Sequence, residues 1–416
     1  MAHPSTFQGH HRIWHVVPGP GGRGWVKLAE PRDEVLWFDR RCFRSEEDLL
    51  AELGRHGVSR VPSARPVGAG GPAVQDFIVG RTLSEVSPTG EAVAEEHLAQ
   101  ILRRFSELAR VRPEAVTAAR RCSRRERVAS PRSSKFLRGL IRFTRRRAYR
   151  ARRPEYGRLF DRLGVPPRAL GRTSRLWLEA GKLTPRPFCL LHGDLHRANL
   201  IVDGSGLLWT IDWELAMLGD PLYDLATHLY LMGYPPSQEG EVVERWRTTV
   251  EAVLPGAGAA AGQDLPRYLA YKRAQSVYTD VVRQARWLAG AGPAEYGERL
   301  SRAAGTVHGV LERAADALGM TRVPGRGEVE AAYAAHTAHT AHTASGRVAP
   351  LPGRPAPAPA PAPAVRAAAG AGASRPGGRA GGVTGSPPAS LPSSGGPPGR
   401  GGTGPRRLRP PPGRGA

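Results

Sequence analysis

Three oxygen-bearing side chains in one short stretch have the types and spacing to do chemistry. In "HGDLHRANLIVDGSGLLWTIDWE", residues 192–214, Asp194 precedes Asn199 by five positions, and Asp212 follows the second of two apolar runs. Carboxylate and carboxamide oxygens without thiolates suit Mg²⁺, which takes one or two carboxylates and completes its sphere with phosphate oxygens and water; they do not suit zinc. A carboxylate set apart from such a pair, as Asp194 is, has the position of a base that orients an attacking hydroxyl, because phosphoryl transfer depends on positioning and charge neutralisation. Taken singly, each residue is also what a turn or a helix cap would use.

The elements that must position them follow from the pattern. "LIV" and "LLWTI" read as two strands around Asp203 to Gly206. Folding this hairpin about Gly204 and Ser205 sets Asn199 opposite Thr210, with Asp212 one pleat further along. The two metal-type ligands then converge, and Asp194 reaches the same volume from the preceding loop.

Upstream, "RIWHVV" and "GWVKLA" flank "PGPGGRG", and "ARPVGAG" and "AVQDFIV" follow, a small antiparallel sheet interrupted by the helix "SEEDLLAELGRHG" with Ser45 as N-cap and Gly57 as C-cap. After "GRTLSEV" the pattern becomes helical: Ala92 to Leu108, a basic stretch from Arg120 to Arg153, and amphipathic segments near 241–254, 265–288 and 294–318. "GPGGRG", Gly19 to Gly24, formally matches G-x-G-x-x-G, but no helix follows it, so it reads as a hairpin turn rather than a dinucleotide-binding one. The boundaries expected are 1–84 for the sheet lobe, 85–320 for the helical lobe, 321–345 for a helix end with a His/Thr repeat, and 346–416 for a tail.

A formal net charge of +23 over 416 residues would ordinarily point to nucleic acid or an anionic surface. From Gly346 onward, however, the chain collapses to Pro, Gly, Ala, Ser and Arg, including "RPAPAPAPAPAVR", the composition of a disordered tail with a stiff polyproline stretch. Roughly ten Arg and no acid lie there, so much of the charge belongs to the tail. Lysine occurs only as Lys27, Lys135, Lys182 and Lys272, so a Lys marks a place that wants a compact ammonium where Arg is the default. Cys42, Cys122 and Cys189 show no paired spacing, and reduced, inert thiols are expected. "AHTAHTAHT", with His336, His339 and His342, reads as a low-complexity repeat at the end of the last helix rather than a metal tract. The first residues lack the pattern of a signal peptide and no run is long enough for a membrane span, so a cytoplasmic location is expected.

"HGDLHRANL" together with "IDWELAMLGDPLYDLA" resembles the aminoglycoside phosphotransferase family, which also includes choline, homoserine and fructosamine kinases. The likeness is strongest from about Arg186 to Leu231 and weaker over roughly 5 to 318; its D-x-x-x-x-N spacing is Asp194 to Asn199. It implies an α+β, bilobal protein-kinase-like fold, with a small antiparallel β lobe carrying one helix and a larger, mostly helical catalytic lobe. It implies ATP and Mg²⁺ as cofactors, Asp194 as catalytic base, Asn199 and Asp212 as metal ligands, and His192 as a residue that shapes the loop. Asp224 would hydrogen-bond the catalytic-loop backbone, and Asp220 would cap the helix that begins at Pro221. Glu214 would line the substrate pocket or pair with an Arg. On the nucleotide side, Lys27 would reach the α and β phosphates and pair with Glu46, which shares a helical face with Leu49, Leu50 and Leu53, whereas Glu47 would turn to solvent. A phosphate-covering loop would fall near Gln8, Gly9 and His10, and adenine would meet the backbone at Gln75, Asp76, Phe77 and Ile78.

The expected activity is transfer of the γ-phosphoryl group of ATP to a hydroxyl of a small antibiotic or metabolite. Polycationic antibiotics call for carboxylates, yet 104–176 is rich in Arg, notably "RRCSRRER" and "RFTRRRAYRARR", which suits an anionic or neutral hydroxylated acceptor at least as well. Asp280, in "VYTDVVR", is a candidate substrate ligand or the partner of Arg283. The expected partners are therefore ATP and a small hydroxylated molecule, with no membrane, and nucleic acid only through the basic tail. The alternative is a nucleotide-binding pseudo-kinase or regulator that engages an acidic partner or nucleic acid through its Arg-rich segments.

Overall fold

The computed structural model describes residues 5–8, 12–19, 24–31, 37–66, 73–124 and 126–345. Strands β1 (Ser5–Gln8), β2 (Arg12–Pro18) and β3 (Trp25–Pro31) are followed by helix α1 (Glu46–Leu53) and by β4 (Ala64–Pro66) and β5 (Ala73–Asp76). They form one antiparallel sheet in the order β1-β2-β3-β5-β4. Gly19 donates to Gly24 O across the β2–β3 connection, so "GPGGRG" spans a hairpin. The Ser45 hydroxyl caps α1 by accepting from Asp48 N, and Gly57, at φ 74°, closes the turn after it. Of the expected phosphate-covering loop, Gly9 and His10 lie outside the described residues.

Strand β6 (Arg81–Thr82) and the short helix α2 (Leu83–Val86) lead into α3 (Glu95–Arg110). Helix α4 (Ser133–Phe143) runs on through a π-helical turn, Thr144–Tyr149, before α5 (Arg153–Arg162) and α6 (Arg175–Ala180). Strand β7 (Cys189–Leu191) pairs with β10 (Met217–Gly219), and between them lies the hairpin of β8 (Leu200–Val202) and β9 (Leu208–Thr210). Helices α7 (Pro221–Met232), α8 (Pro236–Glu251), α9 (Ala261–Ala289), α10 (Pro293–Leu318) and α11 (Arg326–Ser345) complete the lobe. Long amphipathic helices bury one face each: Val277, Val281 and Val282 of α9 and Ala303, Val307 and Leu311 of α10 are fully buried.

Strand β6 pairs with β8, so the chain entering the helical lobe is stitched to the hairpin that carries Asn199. A Cβ at Gly80 would sit 2.3 Å from Val202 O, so that close approach needs glycine. The His/Thr repeat ends the last helix, as expected, but that helix is separate from the segment read near 294–318. Gly319, at φ 68°, ends α10, and the repeat belongs to a separate helix, α11, docked through buried Val329, Ala332 and Tyr333, whose hydroxyl donates to Val281 O at 2.9 Å. Three well-spaced apolar residues ahead of the repeat decide this, because they give the helix a face to bury. Among the described residues no helix is long and apolar enough to cross a membrane.

Candidate active site

The hairpin pairs one residue out from the expected register: Leu200, not Asn199, lies opposite Thr210. The cause is Asp203, whose Oδ1 accepts from Ser205 N, Ser205 Oγ and Leu207 N at 2.9, 2.7 and 3.0 Å, while Oδ2 accepts from Trp209 Nε1. A side chain that closes the loop from inside makes it one residue longer. Convergence survives the slip, because Ile211 N donates to Asn199 O at 3.0 Å and brings Asp212 up beside that carboxamide. Asp194, Asn199, Asp212 and Glu214 all line one cavity of about 430 Å³.

The loop that presents Asp194 is held from below. Asp224, on α7 and 2% exposed, accepts from His192 N at 3.0 Å and Gly193 N at 2.8 Å. Gly193 has φ 80°, and a Cβ there would meet Leu215 O at 2.5 Å. His192 is fully buried, with Nδ1 accepting from Asp194 N at 3.2 Å and Nε2 donating to Ile211 O at 3.1 Å. Burial pushes its imidazole down to about 4, so the neutral ring required by that pair of bonds is the stable one. Arg197, also buried, ties the loop to the helical lobe through Met232 O, Ser87 O and Glu91 O. Asp220 caps α7 by accepting from Leu222 N at 3.0 Å and lies in a buried cluster with Arg186, Asp264 and Tyr268.

Charge is distributed unevenly around the cavity. Burial would raise the Asp194 carboxyl, but the hydrogen bond and charge of His196, backed by His192 and Lys272, hold it below the usual range. Asp212 goes the other way: burial, then Glu46, Glu214 and Asp194, push it well above the usual range, with Lys27 opposing. Its backbone sits at φ 62°, a left-handed conformation that side chains other than glycine adopt at a cost. Asn199 donates Nδ2 to the carbonyl of Asp194 at 2.9 Å and to its carboxylate at 3.2 Å, which reserves Oδ1 as an acceptor.

On the nucleotide side, Lys27 and Glu46 are both buried and both act on Asp212. Lys27 Nζ stands 4.0 Å from the centroid of the Trp14 ring, and Glu46 accepts from Trp213 N at 2.9 Å, which ties α1 to the Asp212 segment. Glu47 does not turn to solvent. It is half-buried and accepts from Gln75 Nε2 at 3.2 Å, because the first turn of α1 meets β5 as well as the Asp212 segment. The side chain of Gln75 therefore joins sheet to helix, and that of Asp76 pairs with Arg65 at 2.9 Å. Asp76 N donates to Ser63 O, and Phe77, the first residue past β5, donates its N to Trp25 O, so both N–H groups are used within the lobe.

On the other side, Glu214 pairs with Arg41 at 2.6 Å. Asp280 is bonded to Arg283 at 3.4 Å and is not among the residues that line the cavity; its neighbours on α9 are. Lys272, Gln275, Ser276, Thr279 and Arg283 follow one another at helical spacing along that wall, facing Asp39 and Tyr230. None of these was placed at the site from sequence, although Arg283 was named as a partner of Asp280 and Lys272 was one of four lysines in an arginine-using chain. Cys42, Cys122 and Cys189 are free and buried; the Cys42 thiol hydrogen-bonds Cys122 and Arg40 lies close, which holds the Cys122 thiol below the ordinary range against the opposing effect of burial. Among the described residues no group of three or more His, Cys, Asp or Glu side chains is placed to hold a metal.

Residues 10–256 match the profile of the phosphotransferase enzyme family, more than half of the chain, and the protein belongs to that family. No curated protein matches at significance. Similar solved structures include macrolide 2'-phosphotransferase MphH from Brachybacterium faecium, with 19% identity over 77% of this chain and 93% of that one and a TM-score of 0.43. Choline kinase LicA from Streptococcus pneumoniae has 13% identity over 75% and 91%, with a TM-score of 0.43. A choline/ethanolamine kinase family protein from Mesorhizobium loti has 15% identity over 80% and 92%, with a TM-score of 0.38.

Proposed function

We propose that the protein transfers the γ-phosphoryl group of ATP to a hydroxyl of a small molecule, with Asp194 as the base. The observation that carries this reading is the single cavity lined by Asp194, Asn199 and Asp212, with the carboxamide of Asn199 bonded to Asp194. The acceptor oxygen forms its bond to the γ-phosphorus, the bond to the β-phosphate oxygen breaks, ADP leaves, and the hydroxyl proton passes to Asp194. A carboxylate held below its usual pKa is ionised and ready for that role at neutral pH.

The donor set fits Mg²⁺. Glu46, Glu214 and Asp194 crowd negative charge onto a buried Asp212, the surroundings in which a dication restores the ionised carboxylate. Asn199 and Asp212 would hold it, and it would neutralise the charge of the phosphates. Lys27, steadied by Glu46, holds the α and β phosphates, and Ile78 presents its backbone to the base. His192 and Asp224 are positioning residues that fix the carbonyl and amide groups on which Asp194 stands.

The test is a panel of hydroxylated metabolites and antibiotics scored for Mg²⁺-dependent ADP release, with Asp194→Asn as the blank. The variant is expected to bind Mg·ATP as the wild type does and to lose transfer by about 10²- to 10⁴-fold. Failure of the wild type to bind Mg·ATP at all would sink the reading.

A further inference from the structure

We propose that the acceptor carries an anionic arm, a phosphate or a carboxylate, and that this arm lies in an arginine-lined cleft opening from the transfer site toward α4. The proposal rests on the reading of Asp194 as the base that receives the acceptor's hydroxyl.

Continuity comes from shared walls. Asp39 lines both the transfer cavity and a second cavity of about 400 Å³. That one shares Arg40, Glu126, Phe143 and Arg147 with a third, of about 460 Å³. The ion pair of Arg41 with Glu214 stands at the junction, Arg41 lining the second cavity and Glu214 the first.

The cleft is built of cations. Arg40, Arg147 and Arg152 line its nearer part, and Lys135, Arg142 and Arg146 its farther part. None of these six is in an ion pair with a carboxylate of the described residues. The nearby acid, Glu126, accepts from Ser123 N and Ser123 Oγ at 2.9 Å each and feels the charges of Arg40 and Arg146 without pairing with either. Arg40 is 9% exposed, uses Nη2 on Glu126 O at 2.5 Å, and keeps a buried Nε with no hydrogen-bond partner. The π-helical turn Thr144–Tyr149 carries Arg146 and Arg147 to the cleft, and such turns are common at functional sites. Cations that outnumber the carboxylates of the lining, Asp39 and Glu126, repel one another, a cost that a bound anion removes, and guanidinium planes match phosphate or carboxylate oxygens in pairs.

The opposite wall of the transfer cavity agrees. Lys272 and Arg283 of α9 face it, and Gln275 Oε1, buried and without a partner, is an acceptor for a hydroxyl of the same molecule.

Two measurements on the full chain test this. In the first, pyrophosphate is titrated calorimetrically into protein saturated with Mg²⁺ and a non-hydrolysable ATP analogue, using wild type, Arg146→Gln/Arg147→Gln, and Arg406→Gln/Arg407→Gln as a control in the tail. Binding at least tenfold weaker in the cleft variant, with the tail variant and the affinity for the analogue unchanged, is expected. Equal pyrophosphate binding in all three proteins overturns the proposal, as does its absence from the wild type. In the second, matched acceptors with and without a phosphate or carboxylate arm are compared for ADP release. The armed acceptors are expected to be used, with a KM raised at least tenfold by Arg146→Gln/Arg147→Gln and the KM for ATP unchanged; turnover confined to neutral or cationic acceptors overturns the proposal. Binding of single-stranded RNA that is lost in the cleft variant and displaces pyrophosphate assigns the cleft to a macromolecule and likewise overturns it. Failure of the analogue to bind defeats the kinase reading instead, and pyrophosphate titration without it still reports on the cleft.

Discussion

Asp224→Asn separates what Asp224 does for the loop from what its burial costs. The carboxylate is 2% exposed and accepts two backbone N–H bonds, which by themselves would lower its pKa. Burial outweighs them and, with the charge of Asp194, pushes the group up to about 6. A rise from 3.8 to about 6 corresponds to about 3 kcal/mol against the charged form. Because the folded pKa lies above the unfolded one, the folded state takes up a proton first as pH falls, so wild-type stability gains from this group between pH 8 and pH 5. Linkage puts that gain at about 1.4 kcal/mol. The asparagine has no such gain. It also offers a donor where one backbone N–H needs an acceptor, a loss of about 1.5–3 kcal/mol that roughly offsets the relief of removing a buried charge at pH 8. Urea unfolding of both proteins should therefore show nearly equal stability at pH 8 and a wild-type advantage larger by about 1.4 kcal/mol at pH 5. ADP release should fall in the variant at both pH values, since one of the two bonds under His192 and Gly193 is gone. A wild-type advantage that stays flat or shrinks toward pH 5 would falsify the reasoning, because it would mean that the N–H bonds, not burial, set the carboxyl's pKa.

Arg186→Ala should destabilise the protein by about 3–5 kcal/mol in urea, because it leaves Asp220 buried without its cation and Asp264 with Arg267 alone; a loss under 1 kcal/mol would show that the cluster is dispensable. His228 is buried between Leu195 O and Tyr234 Oη and is pushed by burial down to about 3, so the unfolded chain binds its proton below pH 6.5 while the folded chain does not. Between pH 7 and pH 4 the wild type should lose about 3 kcal/mol more stability than His228→Gln, read from urea midpoints; equal losses would argue against a neutral buried ring. Gly193→Ala must accept φ 80° and a Cβ 2.5 Å from Leu215 O, so ADP release should collapse together with at least about 1–2 kcal/mol of stability. An active, stable alanine variant would show that the loop can relax.

The site's residue types were legible because chemistry restricts them: few arrangements explain Asp194, Asn199 and Asp212 at such spacing. The small sheet with its one helix and the inward face of α1 followed from period-two and period-3.6 patterns, which encode the face a residue takes. Register did not follow. Whether "DGSG" makes an even or an odd loop depends on the bonds that Asp203 accepts inside it, and nothing in the alternation of apolar residues reports them. Glu47 was misplaced for a related reason: helical periodicity gives one buried face, whereas a first turn that meets both the sheet and the Asp212 segment has two. Lys272 and Gln275 escaped notice because their role comes from α9 crossing the cavity some eighty residues after Asp194, a long-range placement without a local signature.

Charge shows the same division between composition and placement. Counting Arg cannot separate a solvated helix face from a binding surface, but counting partners can. Arg245 lies between Glu95 and Glu241, Arg247 pairs with Glu244, and Arg299 pairs with Glu295, each neutralised within its own neighbourhood. Such exposed pairs contribute little and attract little. Among the described residues Lys135, Arg142, Arg146, Arg147 and Arg152 are in no ion pair, with Asp39 and Glu126 the acids that share their cleft, although the chain supplies Glu freely on α8 and α10. Cations left uncompensated beside a transfer cavity raise the local concentration of anions, and they do so whatever the net charge of the whole chain. The tail can account for the high net charge and still leave the cleft's charge to be explained by its ligand.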